Sequence, residues 1–347
     1  MTQKKHPIHR IALVGFGTVA RGLIQILSEQ RERLLKSDQF EFEVVAVSTR
    51  SRGTMYDPQG LSLELLTRLG QANTPFESHL IDWDADAMIR QSNATVIVEL
   101  AHTDLITAEP ALTHCRAAFE TGKHLITGNK GPAALAYSEM KSLSDQNGCA
   151  FLNEATVLSG TPVFSFRKHA LQGNKILAAK GILNGTTNFI LSEMETGSSY
   201  EDALNLADSR GYLEADKAAD VEGYDAQAKL AILANVLLEI PVELSHVSRK
   251  GITHITKEMI QEAKQQGKRW KLIASLKAEA GQVTATVQPE ALSLSDPLSQ
   301  ISGTLNAITF TTDLLGDITI TGPGAGSLET GYGILSDLLT LNKGELS

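Results

Sequence analysis

The apolar positions of this chain follow two rhythms. Residues 10–14 (RIALV), apolar from Ile11 onward, end on Gly15 and predict a strand buried on both faces. Leu23, Ile26, Leu27 and Leu34 then recur at helical spacing and predict a helix over 21–35. Further apolar runs predict strands at 43–48, 95–100, 123–127 and 149–152, with helices at 111–121 and 133–146. Strands alternating with helices in this way imply an α/β fold, a doubly wound parallel sheet of the Rossmann kind. Beyond residue 153 the rhythm changes. Strand-like runs at 176–183 (ILAAKGIL), 283–287 and 307–312 are separated by helices, the most apolar at 224–238. They predict an α+β domain outside the βαβ pattern. Residues 326–341 are helical again, and such a tail is expected to pack back on the nucleotide domain. The predicted division is 1–152 with 322–347, and 153–321.

Length agrees with two domains, because 347 residues exceed what one core usually serves. A net charge of -9 argues against a nucleic-acid partner. Cys115 and Cys149 have no CxxC spacing, which excludes a zinc ribbon or disulfide framework and suits a reducing cytoplasm. The apolar run Ile11 to Val14 is too short for a signal core, and Leu230 to Leu238 too short to span a bilayer. A soluble cytoplasmic protein with no membrane partner is expected.

The first candidate site is Gly15-x-Gly17-x-x-Ala20, between a predicted strand and a predicted helix. Gly15 allows a tight turn, Gly17 lets a pyrophosphate approach the backbone, and Ala20 permits close packing of helix on strand. With Phe16, Thr18 and Val19 the turn exposes helix N–H groups to an anion. NAD-specific folds usually carry a carboxylate at the end of the second strand. Here the chain reads Val47-Ser48-Thr49-Arg50-Ser51-Arg52, and Arg50 and Arg52 suit a 2′-phosphate. NADP is therefore favoured over NAD. The plain alternative is a solvated loop with two arginines. A further alternative is that they grip NADP(H) without turnover, leaving NAD(H) as the working carrier.

The second candidate site is residues 211–229, GYLEADKAADVEGYDAQAK. Glu214, Asp216, Asp220, Glu222 and Asp225 precede Lys229, and Asp225 lies one helical turn from that lysine. An exposed ion pair beside an acidic loop is the plain reading. Against it, a lysine at the start of an apolar helix is costly unless paired or used. A positioned ammonium can polarise a carbonyl and protonate the alkoxide, and carboxylates can hold a substrate ammonium.

The segments GFGTVARGL (15–23), GNKGP (128–132), NEATV (153–157), GILNGTTNFIL (181–191), the run 211–238 and GPGAG (322–326) resemble the homoserine dehydrogenase family. The resemblance implies a Rossmann domain closed by C-terminal residues and a substrate domain that dimerises the protein. It implies NAD(P)H-dependent interconversion of L-aspartate 4-semialdehyde and L-homoserine, in threonine, methionine and isoleucine biosynthesis. Lys229 matches the proton donor and Lys130 a lysine near nicotinamide and substrate. Glu214, Asp225, Gly185 and Thr186 match substrate contacts, with Asp220 in support. Gly211, Gly326 and Thr103 match positions near the cofactor. Glu154, with the carbonyls of Val157, Ser159 and Thr161, matches a site for a monovalent cation, sodium or potassium. The strand-rich segments after 283 resemble the dimerisation region and imply a two-fold homodimer.

Two departures stand out. Gly128 replaces the family's usual alanine, and Leu158-Ser159-Gly160-Thr161 is more polar than usual. They leave room for another small amino-acid aldehyde or keto acid as substrate. A cofactor-binding sensor without turnover is the reading from another class, and a pure binder needs neither Lys130 nor Lys229. The chain ends soon after GPGAG, so feedback through the C-terminal regulatory domain of many bacterial members is not expected.

Overall fold

The computed structural model describes residues 7–345 apart from 73, 77, 214–216, 239 and 280–281. The chain divides into two units, residues 1–160 with 326–347, and residues 161–325.

The first unit runs β1 (His9–Val14), α1 (Thr18–Asp38), β2 (Phe42–Thr49), β3 (Gly53–Tyr56), α2 (Leu63–Ala72), β4 (Leu80–Ile81), α3 (Ala85–Gln91), β5 (Val96–Glu99), α4 (Ala111–Glu120), β6 (His124–Thr127), α5 (Lys130–Leu135), α6 (Tyr137–Gln146) and β7 (Phe151–Leu152). Among the described residues its sheet has seven strands in the order β4-β3-β2-β1-β5-β6-β7. The strands from β2 to β7 in that order are parallel, while β3 and β4 are added antiparallel. The order reverses between β1 and β5, and a crevice at such a switch point is where ligands bind in this class of sheet. Ile11, Leu13 and Val98 feed one apolar cluster and Ala12, Val45 and Ile97 another, so alternate residues of one strand serve opposite layers.

The second unit holds α7 (Phe164–Ala170), β8 (Ile176–Ile182), α8 (Gly185–Glu195), α9 (Tyr200–Ser209), α10 (Lys217–Val221), α11 (Tyr224–Leu237), β9 (Ser248–Arg249), α12 (Lys257–Gln265), β10 (Lys268–Glu279), β11 (Gln282–Ser293), β12 (Leu305–Thr312) and β13 (Gly316–Pro323). Its sheet, among the described residues, has six strands in the order β13-β12-β8-β10-β11-β9. The closing helix α13 (Ser327–Asn342) belongs to the first unit and lies along α1. Gly22 and Gly331 make that approach possible, since a Cβ on Gly22 would overlap the Ser327 carbonyl and one on Gly331 the Leu23 nitrogen.

Several elements differ from the pattern of the sequence. The helix expected over 133–146 is two helices, because Ala136 leaves the helical region at φ -141. The run 283–287 lies in the first half of the twelve-residue β11. Strand β10 (KRWKLIASLKAE) was not expected, because lysines interrupt its alternation; yet Lys271 is 0% exposed, donating to Asn188 Oδ1 at 3.1 Å and Ile301 O at 2.7 Å. Residues 153–160 group with the nucleotide unit rather than the second. The Glu154 N–H donates to Asp337 on α13 at 2.9 Å, and Ser159 Oγ lies 2.8 Å from Thr330 Oγ1.

Candidate active site

Strand β1 delivers the chain to Gly15, whose N–H donates to Ser48 O at 2.8 Å. Gly15 has φ 93, and an added Cβ would sit 2.5 Å from Leu100 O. Only glycine fits both conditions. Gly17 is the N-cap of α1 and supplies no side-chain cap, and a Cβ there would meet nothing within 4 Å. The first N–H groups of α1, from Thr18 and Val19 onward, therefore have no intrahelical partner and can serve an anion. Ala20 is 0% exposed and lets the helix lie close on the sheet. Ser327 Oγ donates to Thr18 O at 2.7 Å, which brings the start of α13, next to Gly326, beside the glycine turn.

Arg50 is exposed in the turn after β2, while Arg52 is drawn inward. Its guanidinium lies over Phe16 at 5.3 Å and Phe76 at 4.8 Å, and Nη2 donates to Phe16 O at 2.9 Å. Nη1 is buried with no hydrogen-bond partner. Burial, and then the charge of Arg21, holds the Arg52 pKa below its ordinary value.

Thr103 follows β5 in a loop, half-buried, and Lys130 is the first residue of α5, also half-buried. Gly128 lies between β6 and α5. A Cβ there would come 3.0 Å from Leu100 Cδ2, so Leu100 crowds the space that an alanine side chain would use.

Glu154 is 2% exposed in a single 3-10 turn. Burial, and then the Glu154 charge, pushes the Asp337 carboxyl well up. Val157 is buried, and Ser159 has φ 58, unusual for a residue with a Cβ. The Ser159 carbonyl faces Gly333 of α13, where a Cβ would be 2.5 Å away. Thr161 Oγ1, in the second unit, donates to Pro323 O at 3.0 Å. No cluster of three or more His, Cys, Asp or Glu set to hold a metal occurs among the described residues.

The second unit assembles the lysine cluster. Gly223 takes a left-handed conformation, φ 80, and starts α11 so that Asp225 and Lys229 share a face. Lys229 is 7% exposed, and its Nζ lies 2.8 Å from Asp225 Oδ2 and donates to Leu183 O at 2.8 Å. Asn184 Nδ2 donates to Asp220 Oδ1 at 2.7 Å and to Asp225 Oδ2 at 3.0 Å. The same side chain caps α8 by accepting from Thr187 N at 2.8 Å, which fixes Gly185 and Thr186. Thr186 Oγ1 donates to Tyr212 O at 2.7 Å, next to Gly211, which closes α9 at φ 70. Glu222 turns away: its carbonyl binds Arg249 and its carboxylate accepts from Thr253 at 3.1 Å. Glu214 and Asp216 lie outside the described residues.

Asn184 and Asp337 are residues that sequence reasoning missed. An Asn at a strand-to-helix junction, three residues before Thr187, is an N-cap signal and could have found the first. Nothing local marks the second.

Two family models match successive stretches of the chain. The family described as homoserine dehydrogenase, NAD binding domain, matches residues 15–154, and the family described as homoserine dehydrogenase matches residues 162–339. The chain is 40% identical over 339 residues to an NAD(+)-dependent homoserine dehydrogenase of Pseudomonas canavaninivorans, covering 96% of each chain. It resembles the crystal structure of a putative homoserine dehydrogenase from Archaeoglobus fulgidus at TM-score 0.88 and 36% identity, over 96% of this chain and 99% of that one. A hyperthermophilic archaeal homoserine dehydrogenase mutant in complex with NADPH matches at TM-score 0.82 and 27% identity, over 96% and 97%. The chain belongs to the homoserine dehydrogenase family, NAD(P)-dependent oxidoreductases that act on a CH–OH group and interconvert L-aspartate 4-semialdehyde and L-homoserine.

Proposed function

We propose that Lys229 is the proton donor of this enzyme, that NADP(H) is its preferred cofactor, and that it works as a cytoplasmic homodimer in threonine, methionine and isoleucine biosynthesis. One observation carries the catalytic part: Lys229 is 7% exposed, with Nζ 2.8 Å from both the Asp225 carboxylate and the Leu183 carbonyl. An ammonium has three donors. Two are directed at these oxygens, and the third is assigned to the substrate carbonyl. A bound nicotinamide supplies the hydride. Lys229 stabilises and then protonates the oxygen on which charge develops. Asp225 and Glu214 receive the substrate ammonium with Asp220 in support, Asn184 holds the two aspartates, and Gly185 and Thr186 line the same cluster. Lys130 is assigned to the nicotinamide and substrate, and Thr103, Gly211 and Gly326 to the cofactor. Glu154 and the carbonyls of Val157, Ser159 and Thr161 are assigned to sodium or potassium.

The NADP(H) preference is supported by Arg52, whose buried Nη1 has no acceptor beside the glycine turn. A second reading, NAD(H) as working carrier, is favoured by the name of the Pseudomonas relative. The homodimer is supported by Leu305, Leu314 and Leu315, exposed at 45%, 71% and 59% in β12 and the turn to β13. The test is initial-rate kinetics with homoserine and with aspartate semialdehyde, each against NADP(H) and NAD(H), in wild type, Arg50→Ala and Arg52→Ala. A higher kcat/KM with NADP(H) that narrows in the arginine variants is expected. NADP(H) kinetics indifferent to both arginines refutes the phosphate reading. A monomer mass by light scattering at micromolar concentration refutes the dimer.

A further inference from the structure

The nucleotide unit buries a carboxylate that the chemistry above does not use. Glu99 is the last residue of β5, is 0% exposed, and stands at the C-terminal end of an interior strand of the sheet that carries the glycine turn. A buried carboxylate is costly unless its oxygens are hydrogen-bonded. Glu99 Oε1 accepts from the Ala101 N–H at 3.1 Å and lies 3.3 Å from His114 Nδ1 on α4. A carboxylate only accepts, so the imidazole faces it with an Nδ1–H. Oε2 lies 3.5 Å from Thr127 Oγ1 at the end of β6. That hydroxyl donates to Glu99 O at 3.0 Å and accepts from Asn129 N at 2.9 Å. Asn129 closes the network. Its Nδ2 reaches Ala101 O at 3.2 Å and His102 O at 3.3 Å, and its Oδ1 caps α5 by accepting from Gly131 N at 3.0 Å.

These bonds, with close packing, tie together three pieces of backbone at the C-terminal ends of β1, β5 and β6. The loop after β5 bears Thr103, and the segment after β6 bears Lys130. The third piece is the glycine turn, because a Cβ on Gly15 would stand 2.5 Å from Leu100 O and 3.0 Å from Ala101 N. Gly131 adds a further contact, packed so closely on the loop that a Cβ would lie 2.9 Å from Asp104 O. We infer that Glu99, held by His114, is a positioning residue for hydride transfer. It sets the 100–103 loop directly, through the Ala101 N–H, and the start of α5 through that loop, whose carbonyls hold the Asn129 cap, so that Thr103 and Lys130 stand at fixed places beside the glycine turn. This inference rests on the assignment of Thr103 and Lys130 to cofactor and substrate.

The test compares Glu99→Gln, His114→Ala and His114→Asn with wild type. It reads kcat, cofactor dissociation constant and thermal midpoint. Glu99→Gln keeps the shape of the side chain but turns one acceptor into a donor. It is expected to lower kcat roughly 10- to 100-fold and weaken cofactor binding, since about 1 Å of misplacement is enough for such a loss. The His114→Asn side chain keeps an N–H donor near the Nδ1 position, and is expected to recover most of the activity lost in His114→Ala. Glu99→Gln in a Lys130→Ala background is expected to cost less in kcat than it does alone, because groups that act as a unit are not additive. Wild-type kcat and cofactor affinity in Glu99→Gln overturn the inference. Fully additive losses in the double variant also overturn it, as does His114→Asn being no better than His114→Ala. Should Glu99→Gln fail to fold, the two His114 variants decide. Failure of the underlying assignment looks different. Lys130→Ala would then keep its kcat, and the Glu99 effect would appear in cofactor binding alone, whereas an impaired Lys130→Ala beside a normal Glu99→Gln sinks only the positioning role.

Discussion

At the glycine turn the protein presents main chain, and at the lysine cluster it presents side chains. Gly15 and Gly17 contribute no side-chain atoms, and what they offer is backbone brought within reach and helix N–H groups left unpaired. Lys229, Asp225, Asp220 and Asn184 offer charge and hydrogen bonds at 2.7 to 3.0 Å, with the backbone serving as scaffold. The difference follows from the chemistry proposed for each. A pyrophosphate needs several donors on one small surface, which a helix start supplies without side-chain entropy. Proton donation needs one group whose place and charge are fixed, which takes a buried partner. A substitution in the first region should therefore act through shape, and one in the second through charge.

The largest expected effect tests the charge region. Lys229→Ala should lower kcat by roughly two to four orders of magnitude, read by initial rates in both directions. Asp225→Asn comes next. It leaves the buried Lys229 ammonium without its carboxylate, and kcat/KM for homoserine should fall about 10- to 100-fold with a higher KM. Gly15→Ala tests the shape region. With φ 93 and Leu100 O in the way, the turn must shift, and cofactor affinity should fall about tenfold or more, read by fluorescence titration. Arg52→Ala should weaken NADPH binding about tenfold while leaving NADH binding nearly unchanged.

The smallest effect lies outside both regions. Burial lowers the Lys271 pKa from 10.5 to about 8. Below about pH 8 the lysine is charged in folded and unfolded chains alike, and the full cost of burying that charge is present. Between that value and its ordinary 10.5 the folded chain releases the proton first, and the cost fades as pH rises. Wild type should therefore gain stability relative to Lys271→Met across that window, by on the order of 1 kcal/mol per pH unit. Thermal midpoints of both proteins at about pH 7 and about pH 9.5 check the sign.

The two regions were not equally legible in the sequence. The glycine turn is local: strand, turn and helix follow one another within residues 9–38, so spacing alone marks them. The pair Asp225 and Lys229 was legible for the same reason, being one helical turn apart. Asn184 was not, because its partners Asp220 and Asp225 lie 36 and 41 residues away and meet it only through the packing of α8. Glu99 escaped notice because it ends a strand of apolar residues and finds His114 fifteen residues on, in the first turn of α4. Strand β10 was hidden by Lys271, a charge that periodicity assigns to solvent and that tertiary packing buries. Local rules reveal what is built from neighbours, whereas networks between distant segments have no period to read.

The claim that shape holds the cofactor while charge moves the proton is tested most directly by one paired measurement on Lys229→Ala. NADPH binding is titrated by fluorescence, and single-turnover reduction of aspartate semialdehyde is followed on the same enzyme. The account predicts a dissociation constant within about twofold of wild type and a hydride-transfer rate lower by roughly two orders of magnitude or more. Turnover near the wild-type rate, or loss of NADPH binding in step with turnover, would contradict it.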